Sequence, residues 1–345
     1  MPTLMLVPTG IGCAIGGYAG DALPSARLLA AASGCLITHP NVMNGAALYW
    51  SDPRIHYVEG YGLDRFAAGD WLLRPVRRQR IGLLLDAGIE PELAQRQIQV
   101  AEACRATLGL EIGPVLSTDA PLGVHLERGA SGASWGSLER PDAVLRAGER
   151  LQTAGATAIA VVARFPEDPQ SAELAAYRQG SGVDALAGAE AVISHLLVRH
   201  LQIPCAHAPA LGSLPLDPDL DPRAAAEELG YTFLACVLVG LSRAPDLVPA
   251  GQGMVECNGL RADQLGAVVV PQGALGGEAL LAAVARDVPV IAVANPSLLA
   301  VTPELLGMAD AVLPAASYSE AAGLVLALRE GLSPASLQRP LPRLA

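Results

Sequence analysis

The chain contains no lysine: all 23 of its basic residues are arginine. That absence removes the phosphate lysine of a Walker loop, the Schiff-base lysine of pyridoxal phosphate enzymes and any lysine general base. A compositional bias of the genome accounts for it more simply than selection does, and the exclusion holds either way. Aromatic residues are scarce at 4%, so Ala, Leu, Val and Gly must build the core. No uncharged apolar run reaches the roughly 18–20 residues of a membrane span. No basic region followed by an apolar one opens the chain, so no signal peptide is read and a cytoplasmic protein is expected. The six cysteines (Cys13, Cys35, Cys104, Cys205, Cys236 and Cys257) are scattered with no CxxC, and reduced thiols are the default. Positive charge is also short. A net charge of −11 argues against a general nucleic-acid binder. The dense basic cluster Arg74, Arg77, Arg78 and Arg80 is a solvated turn or, failing that, an anion or partner contact.

What is present is the composition of a globular protein: 345 residues, 51% of them apolar. Strand-like runs fall at Leu4–Val7, Cys35–Thr38, Ile55–Val58, Ile81–Leu85, Ala158–Ala163, Ile203–Ala206, Thr232–Val239, Ala267–Val270, Val290–Val293 and Ala311–Leu313. Helical patterns lie between them, near 23–32, 91–108, 141–154, 184–201, 222–229, 277–286 and 318–330. The alternation predicts an α/β fold with mostly parallel sheets and helices on both faces. Residues Gly113–Pro141 break the rhythm and read as loop or hairpin, which places a soft boundary between halves 1–135 and 136–345. Leu214–Pro222, rich in Pro and Asp, reads as a surface excursion.

The densest local signal is Val7-Pro8-Thr9-Gly10-Ile11-Gly12-Cys13-Ala14-Ile15-Gly16-Gly17, an apolar strand running into a glycine loop before a helix. Such a loop aims free N–H groups at whatever sits there, so Gly10, Gly12, Gly16 and Gly17 are candidate anion-binding positions. A tight strand–helix connection with no ligand is the alternative. Gly10, Gly12 and Gly16 have the G-x-G-x-x-x-G spacing of some dinucleotide sites. The next strand, however, ends Thr38-His39-Pro40-Asn41, without the acidic residue that would hold a ribose diol, so a nicotinamide cofactor is disfavoured. Val270-Pro271-Gln272-Gly273 and the later pair Gly276-Gly277 echo the loop, which adds Gly273, Gly276 and Asn295 to the candidates. Two Rossmann-like halves facing a central cleft would explain the echo, and so would chance convergence.

Ligands of open parallel sheets gather beyond the carboxyl ends of the strands. The residues there are His39, Glu59, Asp64, Asp86, Arg164, His207 and Asn295. His39 and His207 could ligate a metal or move a proton, with Asp86 or Glu59 as third ligand or orienting group. The plainer alternative for each is a loop histidine bonding backbone. A divalent ion held by His39, Asp86 and His207 is the cofactor these residues admit. Cys205 shares a strand face with His207 and is a partner for it or an inert buried thiol. Glu190 is flanked by apolar residues and is either buried and functional or part of a wet face. His200 reads as a contact at a helix C-terminus. Arg164, with Arg178 in a second basic loop, would clamp an anion or make a surface ion pair.

Several longer stretches are distinctive: Thr38-His39-Pro40-Asn41-Val42, Val58-Glu59-Gly60-Tyr61, Glu190-Ala191-Val192-Ile193-Ser194-His195 and Pro204-Cys205-Ala206-His207-Ala208-Pro209-Ala210. With them go Glu227-Glu228-Leu229-Gly230-Tyr231-Thr232-Phe233-Leu234 and Gly240-Leu241-Ser242-Arg243-Ala244-Pro245. Together these resemble an uncharacterised family, a domain of unknown function found chiefly in oxygenic phototrophs. The resemblance covers nearly the whole chain. It implies a cytosolic or stromal soluble protein and carries no activity with it. The function expected from the residues is an enzyme for a small anionic metabolite, of hydrolase, lyase or isomerase type. His39, Asp86, His207, Glu59 and Glu190 would be its catalytic candidates. A non-catalytic metabolite-binding or regulatory protein is the alternative. No nucleic-acid or membrane partner is expected, and a homo-oligomer stays open.

Overall fold

Short apolar runs set the strands, and each lies where glycine or proline permits the chain to turn. The computed structural model describes residues 1–45, 52–228, 233–251 and 259–341. The chain opens with β1 (Pro2–Met5), α1 (Leu23–Ser33), β2 (Cys35–Thr38), α2 (Pro40–Met43), β3 (Ile55–Tyr57), α3 (Gly60–Ala68) and β4 (Trp71–Arg74). Helix α1 ends at Gly34, whose left-handed backbone lets its N–H close on the Ala30 carbonyl. Helix α3 starts where the Glu59 carboxylate accepts the Tyr61 N–H, a side-chain cap that anchors Glu59 itself.

The middle of the chain runs β5 (Ile81–Leu85), α4 (Pro91–Leu108), β6 (Ile112–Ser117), β7 (Val124–Arg128), β8 (Ser134–Leu138), α5 (Pro141–Thr153) and β9 (Ala158–Arg164). It continues through α6 (Ala172–Arg178), α7 (Ala187–Leu201), β10 (Cys205–Ala210), α8 (Pro222–Glu228), α9 (Leu234–Leu241) and β11 (Asp246–Pro249). The last part is β12 (Ala267–Pro271), α10 (Glu278–Val284), β13 (Val290–Val293), β14 (Val312–Ala315) and α11 (Tyr318–Arg329).

A six-stranded sheet has the order β14-β13-β12-β1-β2-β3, and a four-stranded sheet has the order β10-β9-β5-β6. Every pairing in both is parallel. The fold is therefore α/β, as the alternation of runs predicts. Numbered by their own succession, the six strands lie 3-2-1-4-5-6, the doubly wound order whose switch point falls between β1 and β12. The sheets are nested in sequence: the two ends of the chain make the first, and residues 81–210 supply the second. They do not divide at residue 135. The Val7–Gly10 and Val270–Gly273 echo sits at the ends of β1 and β12, neighbouring strands in which Met5 pairs with Val269. It thus belongs to one sheet. The segment Gly113–Pro141 contains the antiparallel hairpin β7–β8.

Core contacts alternate along each strand, as a pleated strand buried on both faces requires. Met5, Leu83 and Val162 enter one apolar cluster, while Leu4, Leu84 and Val161 enter the other. Each cluster thus draws on both sheets. Each fully buried Leu or Val contributes about 1.5–3 kcal/mol relative to exposure. One expected strand, Thr232–Val239, is not formed. Residues 229–232 lie outside the described residues, and Phe233 is the N-cap of helix α9. In α9 Leu234, Cys236, Val237, Leu238 and Leu241 are all buried, so an all-apolar helix carries no helical stripe to distinguish it from a buried strand. Cys257 also lies outside the described residues.

Candidate functional site

A cavity of about 1500 Å³ opens at the carboxyl ends of strands from both sheets. Leu6, Pro8 and Thr9 after β1, His39 after β2 and Glu59 after β3 reach it from the six-stranded sheet. His207 and Pro209 of β10 and Pro166 after β9 reach it from the four-stranded sheet. Strand β7 and the loop 211–217 contribute further wall. The cavity exceeds the ~300–1,000 Å³ of ordinary small-molecule pockets, so it has room for a sizeable organic ligand.

Four of the five catalytic candidates meet here: His39, Glu59, Glu190 and His207. Helix α7 organises them, because Glu190 and Ser194 are one turn apart and face β10 together. The His207 Nδ1 is 3.0 Å from the Ser194 hydroxyl, and its Nε2 is 3.6 Å from a Glu190 carboxylate oxygen. Ser194 is almost wholly buried and orients the ring. Beyond them stand Asp184, which accepts the Leu186 N–H at 2.8 Å, and Glu227, which accepts the Tyr177 hydroxyl at 2.6 Å. Burial, and then the Glu190 charge, push the Asp184 carboxyl up to about 7. Burial and the Asp184 charge likewise raise Glu227 well above the usual carboxylate range. Asp184 is thus poised near neutral pH, where a carboxyl group can serve as acid or base.

The next residue of α7, His195, turns toward α3. Its Nε2 lies 2.8 Å from Glu59, whose other oxygen is held by the Tyr61 N–H at 2.8 Å. Glu59 is buried and nearly half of the His195 side chain is open, so the carboxylate fixes a ring that faces the cavity. Asp64, further along α3, accepts the Ala279 N–H at the start of α10; burial raises its pKa. His39 accepts the Val7 N–H on Nε2 at 2.9 Å, and burial lowers its pKa to about 4.

The remaining candidates are placed elsewhere, each for a structural reason. Asp86 is buried and accepts three backbone N–H groups, those of Gly88, Leu122 and Arg164, at 2.9–3.0 Å. It ties β5, β9 and the segment before β7 together and forms no part of the cavity wall. Arg164 is held by Glu90 at 2.9 Å and Glu167 at 2.6 Å, so its charge is already answered. Among the described residues no group of three or more His, Cys, Asp or Glu side chains is placed to hold a metal ion. The divalent site of His39, Asp86 and His207 is thus not assembled.

The glycine loop is packed closely against the rest of the protein. A β-carbon on Gly10 would strike the Ser134 hydroxyl, and the Gly10 carbonyl accepts the Ser134 N–H at 2.9 Å. The first residue of β8 therefore packs directly against Gly10. Gly12 packs on Val183, Gly16 on Val7 and Gly17 on the Cys13 carbonyl. Three of the loop's N–H groups are engaged: Ala14 by the Pro296 carbonyl, Ile15 by Asn295, and Gly16 by Asp21. Asn295 pins the loop from both sides by donating back to the Ile15 carbonyl at 2.8 Å. Gly273 meets the Leu299 carbonyl and Gly276 packs near Val301, so they serve chain packing as well. Cys205 is buried with its thiol pushed well up by burial, an inert core residue, and His200 pairs with Glu149 at 2.6 Å.

Asp184, Ser194, His195 and Glu227 are wall residues that spacing does not reveal. Asp184 and Glu227 are far apart in sequence, yet the Asp184 charge helps raise the Glu227 pKa. Arg178 explains how the wall holds together. It is buried, donates to Glu228 at 2.8 Å and to the Pro215 carbonyl at 2.7 Å, and so knots α6, α8 and the loop between β10 and α8 over the cavity. The expected excursion Leu214–Pro222 is this loop, and Leu216 at its tip is fully exposed.

A family model described as protein of unknown function (DUF3326) matches residues 2–338. The chain belongs to this family. A curated relative from the cyanobacterium Synechococcus sp. (strain ATCC 27144 / PCC 6301 / SAUG 1402/1) is 57% identical over 338 residues, 98% of this chain and 93% of the relative. That protein is named an uncharacterized lipoprotein. Family membership and a phototroph relative agree with the resemblance read from the residues. The expectation of a cytoplasmic protein is overturned by this relative's name, because lack of a signal-like opening does not by itself fix a compartment. No helix among the described residues is long and apolar enough to cross a membrane.

Proposed function

We propose that the cavity binds an organic molecule and transfers protons on it, in a reaction of isomerase, lyase or hydrolase type. Glu190 and His207 are the acid–base pair of this reading, Ser194 orients the imidazole, and Glu59–His195 is a second pair on the same wall. The observation that carries the reading is the convergence of Glu190, Ser194 and His207 within hydrogen-bonding or ion-pair reach beside a large cavity at the strand ends. The charge of the wall narrows the ligand. Glu59, Asp64, Glu190 and Glu228 line it, with Arg128 and with Arg178, whose guanidinium is engaged by Glu228. Acidic side chains outnumber the arginines on this wall, which favours a neutral or cationic molecule over an anionic metabolite.

The test is a fractionated extract of neutral and cationic metabolites, incubated with the protein and monitored by mass spectrometry and thermal shift. A compound that stabilises the fold and is converted by the wild type supports the reading. His207→Ala should keep the thermal shift and lose roughly 100-fold or more of the turnover, the usual scale of an acid–base group. A ligand bound without conversion would make the protein a metabolite-binding one, and no ligand at all would overturn the cavity as a site.

A further inference from the structure

His39 lies just beyond β2 in the cavity wall, and its hydrogen bonding assigns its tautomer. The Val7 N–H donates to Nε2 at 2.9 Å. A nitrogen that accepts carries no proton, so the hydrogen of the neutral ring is on Nδ1. Among the described residues Nδ1 has no hydrogen-bond partner, nor is it shut away in the core, so it is open to the cavity. A ring largely covered by protein, accepting on Nε2 and with no carboxylate paired to it, favours the neutral form: burial lowers its pKa to about 4. His195 differs: burial opposes its charge, but the Glu59 carboxylate beside it raises its pKa.

We propose that the Nδ1–H of His39 is a fixed, uncharged donor that receives a carbonyl oxygen of a neutral ligand. This rests on the cavity being the ligand site. A neutral N–H suits an oxygen acceptor without adding a charge that the acidic wall would capture. It also suits the proton chemistry assigned to the same wall. If a base removes the proton from the carbon next to that carbonyl, the C–H electron pair becomes the new C=C bond. The C=O π pair moves to oxygen, where the Nδ1–H meets the developing charge. The oxygen pair then re-forms the C=O and the C=C pair takes a proton back on the other face of the same carbon, inverting it, so atoms and electrons balance with no oxidant, reductant or co-reactant. A neutral histidine kept so by its surroundings is a known electrophile for this purpose.

Two measurements test the proposal. In protein labelled with 15N-histidine, His39 should show a neutral ring with the proton on Nδ1, unchanged between pH 5.5 and 8. A midpoint at pH 6 or above, or a proton on Nε2, would overturn it. For the ligand, 2-octanone and octanoate are compared as probes of equal chain length. 2-Octanone should bind, shift the His39 Nδ1 resonance and bind more tightly than octanoate. His39→Met should weaken 2-octanone about tenfold, near the upper end for one hydrogen bond. His39→Gln, whose amide can both accept from Val7 and donate to the ligand, should recover most of that loss. If 2-octanone binds wild type and His39→Met equally and leaves the His39 resonances unmoved, the donor role is wrong while the cavity stands. If octanoate binds as tightly, the preference for a neutral carbonyl is wrong. If neither probe binds wild type, the cavity reading itself has failed, and the donor role with it.

Discussion

Asp86 and Asp184 are both strand- or loop-end aspartates, and their surroundings give them opposite work. Asp86 accepts three backbone N–H donors and so spends its carboxylate on tying the chain together. Asp86→Ala should therefore cost about 3–5 kcal/mol in chemical denaturation, because three buried donors lose a charged acceptor. If Asp86 were instead a catalytic group, the variant would keep wild-type stability. Asp184 stands among Glu190, Glu227 and His207, and burial pushes its carboxyl up from 3.8 to about 7. Its folded pKa lies above its unfolded one, so the folded state binds the extra proton. The stability this contributes is fully present below pH 3.8 and is lost as pH rises toward about 7. Relative to wild type, Asp184→Asn should thus gain stability progressively from about pH 4 to 7 and then level off. Denaturation of both proteins at several pH values checks this, and a constant difference would refute it. His39 has the opposite sign, its pKa being lowered from 6.5 to about 4, but it is common to both proteins and cancels in the comparison.

At the scale of elements, the glycine loop and helix α7 exchange the importance that sequence alone assigns them. The loop has the spacing of a ligand cradle, yet its glycines admit the hairpin, Val183 and Val7 at close range. Gly10 has φ +69°, and a side chain there would strike Ser134 as well as strain the backbone. Gly10→Ala should destabilise the protein by about 1–3 kcal/mol in denaturation, without changing ligand affinity in the remaining folded protein. Altered affinity at unchanged stability would restore the loop to a binding role. Helix α7 has no such signature. Its consequence comes from two neighbours facing different elements: Ser194 toward β10, and His195 toward Glu59 at the start of α3. His195 and His200 are not a ligand pair; each pairs with a glutamate on another element.

For the whole molecule, the two parallel sheets bring their carboxyl ends to one cavity although their strands are nested along the chain. This is why candidates chosen by one rule, the residue after each strand, sorted only partly. The rule located His39 and Glu59 because parallel strands present their ends on one edge, and it reached His207 although that residue stands inside β10. It also selected Asp86 and Arg164, which occupy similar strand ends but are used to bind the protein to itself. Glu190 was legible from its apolar neighbours. Asp184 and Glu227 were not, since their raised pKa values arise from mutual proximity and burial across the fold.

The sequence by itself determined the fold class, the strand and helix succession apart from α9 and several short elements, and membership of the family. Periodicity, glycine and proline act locally, so these features are written locally. The absence of lysine likewise bounds the chemistry without any structure. Only the tertiary structure decided which polar residues are spent on the backbone and which face the cavity. A hydrogen bond such as Val7 N–H to His39 joins residues 32 positions apart, and no local pattern specifies whether that bond or a ligand receives the lone pair.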